Sequence, residues 1–255
     1  MLARICGHEV RPFVPPGYLT QHEYTQYFTE YTHGVIMATR RGARKTAPTK
    51  RASRADKKDA TRRRILDAAL TLFESKGYDH TTTKAIAKRA KIAEGTVFNY
   101  FPTKDDIALY FFELEVDHAI DAVRRNTDLA KAPLEERLFA LVQYQLDYLA
   151  PYERFISAAL VHALRPESQL AISVRGLALR NRYLAFVRDI IDETLPAGGG
   201  HSNTFAWAAP QVFWIYYVGV LLFWLHDTSA GKQRTLAFLD RSLAIGVSVL
   251  RKGTI

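Results

Sequence analysis

From about residue 57 onward, apolar residues recur at helical spacing, and no stretch alternates convincingly enough to read as a strand. Ile65, Ala69, Leu72 and Phe73 fall at i, i+4, i+7 and i+8, one apolar stripe on a helix expected over about 57–75 and stopped by Gly77. Thr81, Thr82 and Thr83 offer N-caps for a second helix reaching Ala90, with Ile86 and Ala87 turned inward. A tight turn, 91–93, leads to a third helix over about 94–101. At two turns it cannot persist alone and depends on the packing of Val97 and Phe101. Pro102 blocks its continuation, and Thr103 followed three residues later by Asp106 caps a long fourth helix to about 126. Further helices are expected near 133–149, 151–163, 167–194, 204–227 and 231–251, with Pro133, Pro151 and Pro166 marking breaks. Gly198, Gly199 and Gly200 lie in a loop at 197–203, which lacks the Lys-Ser/Thr pair of a phosphate-binding loop. The pattern is all-α.

Charge changes the picture because it is localised. The 255-residue chain carries a formal +9, and the segment 40–64 alone carries +10, with twelve basic residues against Asp56 and Asp59. Residues 65–255 are balanced. A cationic arm beside a folded domain suits a polyanion, because each neutralised phosphate releases condensed counterions. Cys6 is the only cysteine and no histidine pair has metal-site spacing, so neither a disulfide nor a metal or other cofactor is expected, in keeping with a reducing cytoplasm. No nucleophile elbow, paired carboxylates or nucleotide loop points to catalysis. Residues 1–36 read as an unstructured leader without a signal-peptide core.

Three helices in this order, with a three-residue turn before the last, follow the helix-turn-helix plan, whose final helix enters the major groove of double-stranded DNA. The run "RRRILDAALTLFESKGYDHTTTKAIAKRAKIAEGTVFNYFPTKDDIAL", Arg62 to Leu109, resembles the N-terminal domain of the TetR family of transcriptional regulators. The resemblance implies a three-helix DNA-binding domain at 57–104, preceded by the leader and basic arm at 1–56 and followed at 105–255 by a larger helical bundle for effector binding and dimerisation. It puts Lys84, Glu94, Gly95 and Phe98 beside base edges, and Thr82, Thr83, Tyr100 and Lys104 on phosphates, with Thr96 on the same helix. Asn99 has the chemistry to read an adenine edge. Val97 and Phe101 are expected in the core, whereas Phe98 is left open between core and groove. Three residues depart from the family pattern: Lys91 stands where glycine is usual, Ala93 where a Ser or Thr N-cap is usual, and Phe98 where tyrosine is common.

Residues Phe205 to Leu225 contain no charge over 21 positions, enough for a membrane span. Pro210 and Gln211 interrupt that reading, and the next helix carries an amphipathic seam of Leu236, Leu239, Leu243, Val247 and Leu250. A helix apolar all round is equally one held between its own domain and a partner subunit. The resemblance implies the latter, a homodimer through the last two helices, with no membrane. Tyr144, Tyr148, Phe155 and Phe186, with Phe139, Trp207 and Trp214, are candidates to line an apolar cavity for an unknown small-molecule effector, and His162 and Arg175 are candidate polar contacts; core packing for each aromatic, a satisfied histidine and a solvated arginine are the plainer readings. The expected function is a cytoplasmic, homodimeric repressor released from a palindromic operator by a small apolar ligand. The alternatives are a ligand-independent architectural or coregulatory DNA-binding protein and a membrane-tethered regulator.

Met1 and Met37 are the only methionines, and Met37 directly precedes the basic arm, so translation is expected to begin at Met37. Mass spectrometry of the native protein should find no peptide from residues 1–36, and detecting one would reject that start.

Overall fold

The computed structural model describes residues 54–163, 165, 168–194 and 208–252, whose regular structure is entirely helical. The leader, the arm at 40–53, the glycine loop and Trp207 lie outside the described residues. Ten α-helices follow in order: α1 (Arg54–Lys76), α2 (Thr83–Ala90), α3 (Glu94–Tyr100), α4 (Lys104–Arg125), α5 (Leu134–Leu149), α6 (Glu153–Ala163), α7 (Gln169–Ile172), α8 (Val174–Thr194), α9 (Ala209–His226) and α10 (Gln233–Lys252).

Local chemistry sets the first boundaries. Gly77 takes φ +88 and closes α1 by donating its N–H to Phe73 O at 3.0 Å. Of the three threonines, Thr82 is the N-cap of α2, its hydroxyl accepting from Ala85 N at 3.2 Å. Thr103 and Asp106 form a full capping box at the start of α4. The stripe of α1 meets Ile86, Ala87, Val97, Phe101 and Ile107 in one continuous core.

The expected single helix over 167–194 is instead two. Ser173 is extended (φ −63, ψ 154), and its Oγ accepts from Gly176 N at 3.0 Å, an N-cap that starts α8 afresh. A Cβ on Gly176 would lie 2.3 Å from Leu170 O, so the chain of α7 folds back against a position only glycine can occupy. Continuous apolar spacing hid a break made by a cap and a close approach. The helix expected from 204 begins, among the described residues, at Ala209.

In the body, α4 packs along α5, which also meets α8 and α10, while α9 lies against α8 and α10. Phe213, Tyr217, Val220, Leu221 and Trp224 of α9 are buried with Leu236, Leu239, Leu243 and Val247 of α10. Val212, Ile215, Leu222 and Phe223 of α9 and Phe238, Ile245 and Val249 of α10 are exposed. By length and composition α9 is apolar enough to cross a membrane. Asp227 clasps the turn between these helices: its carboxylate accepts from Ser229 N and Oγ at 2.9 and 2.6 Å and from Thr235 N and Oγ1 at 2.9 and 2.8 Å. Burial works to raise its pKa, but these four hydrogen bonds outweigh burial and bring it to about 2.

The centre of the body holds buried polar groups. Glu115 of α4 is fully enclosed, and burial, opposed by the neighbouring Gln145, pushes its carboxyl up to about 8. Tyr183 of α8 donates to Gln145 Oε1 at 2.9 Å. Burial alone raises Asp147 of α5 to about 7.

Lys91 adopts the left-handed conformation (φ 55, ψ 47), a strain of about 1 kcal/mol for a residue with a Cβ. Lys91→Gly should therefore raise stability by about 0.5–1 kcal/mol in urea unfolding. Glu115 stays protonated in the fold to about pH 8, while in the unfolded chain it ionises near its ordinary 4.5. The unfolded state sheds this proton first, so stability falls as pH rises from 4.5 toward 8. Glu115→Gln removes that penalty: thermal unfolding of the two proteins should nearly coincide at pH 5, and the variant should be more stable at pH 8 by roughly 2–4 kcal/mol.

Candidate nucleic-acid interface

Seven residues make α3, and its two sides differ sharply. Val97 and Phe101 point into the core, 0% and 1% exposed, as expected. Gly95, Phe98 and Asn99, at i, i+3 and i+4, are exposed and share the opposite side. At 46% exposed, Phe98 is not a core residue. A Cβ on Gly95 would meet nothing within 4 Å, so this face is bare. Lys84, Lys88 and Arg89 of α2 and Lys91 of the turn are also exposed. The assembled surface offers ammonium and guanidinium groups, one amide and one aromatic ring to a partner.

The ends of α2 and α3 are tied together. Ala93 gives α3 no side-chain cap. Thr83 Oγ1 instead donates to Glu94 Oε1 at 3.0 Å, pinning the first turn of α3 to the first turn of α2. Glu94 also places negative charge in the first turn of its helix, the favourable end of the dipole. Its carboxylate thus has a structural partner within the domain. Thr82 is exposed and Thr96 and Tyr100 are half-buried, Tyr100 resting against the core.

Lys104 is half-buried at the joint between the reading head and the body. Its Nζ donates to Tyr78 O at 2.7 Å and lies 4.3 Å from the Tyr78 ring centroid. Burial lowers the ammonium pKa, against the opposing pull of Asp79 and Asp105. Tyr78 donates its hydroxyl to Asp105 Oδ1 at 2.5 Å, and burial together with that carboxylate pushes the phenol well above its ordinary range. The other oxygen of Asp105 lies 3.2 Å from His162 Nε2 of α6. Stacked rings fill the space beneath, with Phe155 at 4.9 Å from Phe73 and 5.4 Å from Phe111. On the other flank Arg175 of α8 grips Glu113 of α4 with two bonds of 2.6 Å and donates to Asp106 O at 3.3 Å. Arg182 reaches Asp117 at 3.0 Å one turn further along α4. This α4 latticework was not legible in the sequence, where Arg175 read as a solvated arginine or a ligand contact and His162 as a satisfied histidine or a ligand contact.

Of the five candidate effector residues, Tyr148 and Phe155 both pack on Phe111, and Phe155 and His162 both pack on Tyr78, while Tyr144 and Phe186 have other partners. Tyr144 accepts from Asn126 Nδ2 at 3.3 Å, and Tyr148 packs 5.5 Å from Phe111. Phe155 and His162 belong to the joint just described. Phe186 lies under the Arg124 guanidinium at 5.2 Å. Phe139 is buried, and Trp214 meets Tyr183 edge-on at 5.5 Å. A cavity of about 400 Å³ opens elsewhere, between α5, α8, α9 and α10, and none of the five lines it. Its lining includes the small residues Ala208, Ala209 and Gly246.

Known proteins resemble both halves of the chain. The family model described as "Bacterial regulatory proteins, tetR family" matches residues 65–111, and "Tetracyclin repressor-like, C-terminal domain" matches 137–255. The chain is 27% identical over 141 residues to the fatty acid metabolism regulator protein of Bacillus subtilis (strain 168), across 52% of this chain and 68% of that protein. It is 37% identical over 82 residues to the HTH-type transcriptional repressor KstR of Rhodococcus jostii (strain RHA1), across 32% of this chain and 38% of KstR. Its fold matches that of Thermus thermophilus FadR, a TetR family transcriptional repressor in complex with lauroyl-CoA, with a TM-score of 0.57 and 23% identity over 76% of this chain and 95% of FadR. With a reading head and a helical body each matched in its proper place, the chain belongs to the TetR family of bacterial transcriptional regulators.

Proposed function

We propose that the protein is a homodimeric repressor that grips a near-palindromic operator through α3 and is released by an apolar effector bound in its helical body. The observation that carries this is the bare face of Gly95, Phe98 and Asn99, held outward by Val97 and Phe101 and flanked by cations of α2. In this reading Lys84, Gly95, Phe98 and Asn99 meet base edges, while Thr82, Thr83, Thr96, Tyr100 and Lys104 serve the sugar-phosphate backbone. Glu94 acts through Thr83 by setting the position of α3. The reading head spans 57–104 and the body 105–255, with the cationic arm adding sequence-independent grip.

Dimerisation through α9 and α10 is supported by the exposed apolar residues those helices share. Covering about 1,000 Å² of such surface at roughly 25 cal/mol/Å² gives a gross gain near 25 kcal/mol, ample after the costs of association. The same contact gives apolar α9 a protein rather than a lipid environment, consistent with a cytoplasmic protein. Two heads then meet major grooves about 34–36 Å apart. The name of KstR favours repression, and the lauroyl-CoA bound to FadR favours an acyl thioester among candidate effectors.

Operator fragments selected from a genomic pool provide the test. Lys84→Ala and Asn99→Ala should each cost about 1–3 kcal/mol on the selected site and little on unrelated duplexes. Deleting residues 1–53 should weaken every duplex alike and flatten the dependence of log K on log salt. Failure of the full chain to retard any duplex at low salt would overturn the proposal.

A further inference from the structure

We propose that the cavity between α5, α8, α9 and α10 is an effector site whose open side is closed by a second copy of the chain, so that ligand occupancy and dimerisation reinforce each other. The inference rests on the dimer reading above. Its volume of about 400 Å³ falls within the usual range for small-ligand sites. Leu138, Phe213, Leu243 and Val247 form its inner wall. Among the described residues that line it, Tyr216 and Ser242 supply the only polar side chains, and their hydroxyls lie 2.7 Å apart, with Ser242 also donating to Phe238 O at 2.6 Å. None of the described lining residues is charged, so the ligand class is a flexible hydrocarbon chain that brings at most one hydrogen-bonding group inside.

Two residues connect the cavity to the outer face. Val212 and Val249 line the cavity, yet they are 62% and 66% exposed. They run in line with Ile215 on α9 and Ile245 on α10, 70% and 68% exposed, which do not line it. The mouth of the cavity is therefore part of the same apolar stripe that a second copy would cover. A ligand in a lone subunit keeps one side wet, and a ligand in a dimer does not. Ligand and partner then stabilise one another reciprocally.

Position also limits how such a ligand acts. The cavity lies where α4 has finished and α5 begins, beside Leu134. The 22 residues of α4, at about 1.5 Å each, place it roughly 33 Å from the first turn of that helix at the reading head. A ligand there touches no DNA-binding residue. It acts by changing how the two subunits seat against each other, and hence the separation of the two α3 helices.

The test uses the full chain and 1-decanol as probe, with dimer dissociation followed by sedimentation equilibrium and probe binding by calorimetry. Saturating decanol should tighten the dimer at least tenfold. Ile245→Asp, which alters no cavity wall, should give a folded monomer by circular dichroism that binds decanol at least tenfold more weakly. Leu250→Trp, which fills the cavity, should abolish decanol binding and leave the dimer in place. Absence of decanol binding to wild type, a dimer constant indifferent to decanol, or an Ile245→Asp monomer that binds it as tightly as wild type would each overturn the inference. Any of these with operator binding intact leaves the regulator reading standing. A wild-type chain that remains monomeric while binding operator removes the dimer reading and this inference together.

Discussion

A helix of seven residues has too few internal hydrogen bonds to hold its shape in water, so everything the reading head does depends on what props α3 from behind. Val97 and Phe101 do this from the core, seated among Ile86, Ala87 and the stripe of α1. The bond from Thr83 to Glu94 fixes the other end. Because two side chains and one hydrogen bond are enough, the outward residues are released from any duty to the fold. Gly95 can be bare, Phe98 can be wet, and Asn99 can present its amide, at no expense to the core.

The long helix α4 carries that arrangement into the body. Its first turn belongs to the reading head, where Lys104 and Asp105 lock Tyr78 in place. Its middle turns are held by Arg175 and Arg182 of α8. Deeper still, Glu115 sits among Gln145, Tyr183 and Tyr217, a polar centre enclosed by apolar walls. One helix thus joins the reading head to the polar centre of the body, with side-chain bonds at each level along it.

Much of this was legible from residue order, because caps and turns are local. Gly77 and the pair Thr103 and Asp106 set boundaries through bonds to residues at most four positions away, Pro102 does so through the N–H it lacks, and the helices ended close to where those signals lay. The break at Ser173 was hidden because it depends on Leu170 O approaching Gly176, a contact made only once α7 folds back. Periodicity says which residues turn inward but not which neighbours fill the space they enter. The joint that holds Phe155 and His162, and the cavity lined in part by Ala208, Ala209 and Gly246, therefore left almost no mark. The ion pairs of Arg175 and Arg182 span 62 and 65 residues in sequence, beyond the reach of any local rule.

The Asp227 clasp has its own bearing on how the molecule comes apart. A carboxylate whose folded value is about 2 and whose ordinary value is 3.8 adds stability that is complete above the latter and fades only as pH drops through the former. Acid strong enough to neutralise most surface carboxylates leaves this one ionised and its four donors engaged. The turn that joins α9 to α10 therefore keeps its four hydrogen bonds at a pH where carboxylates of ordinary pKa have already taken up protons.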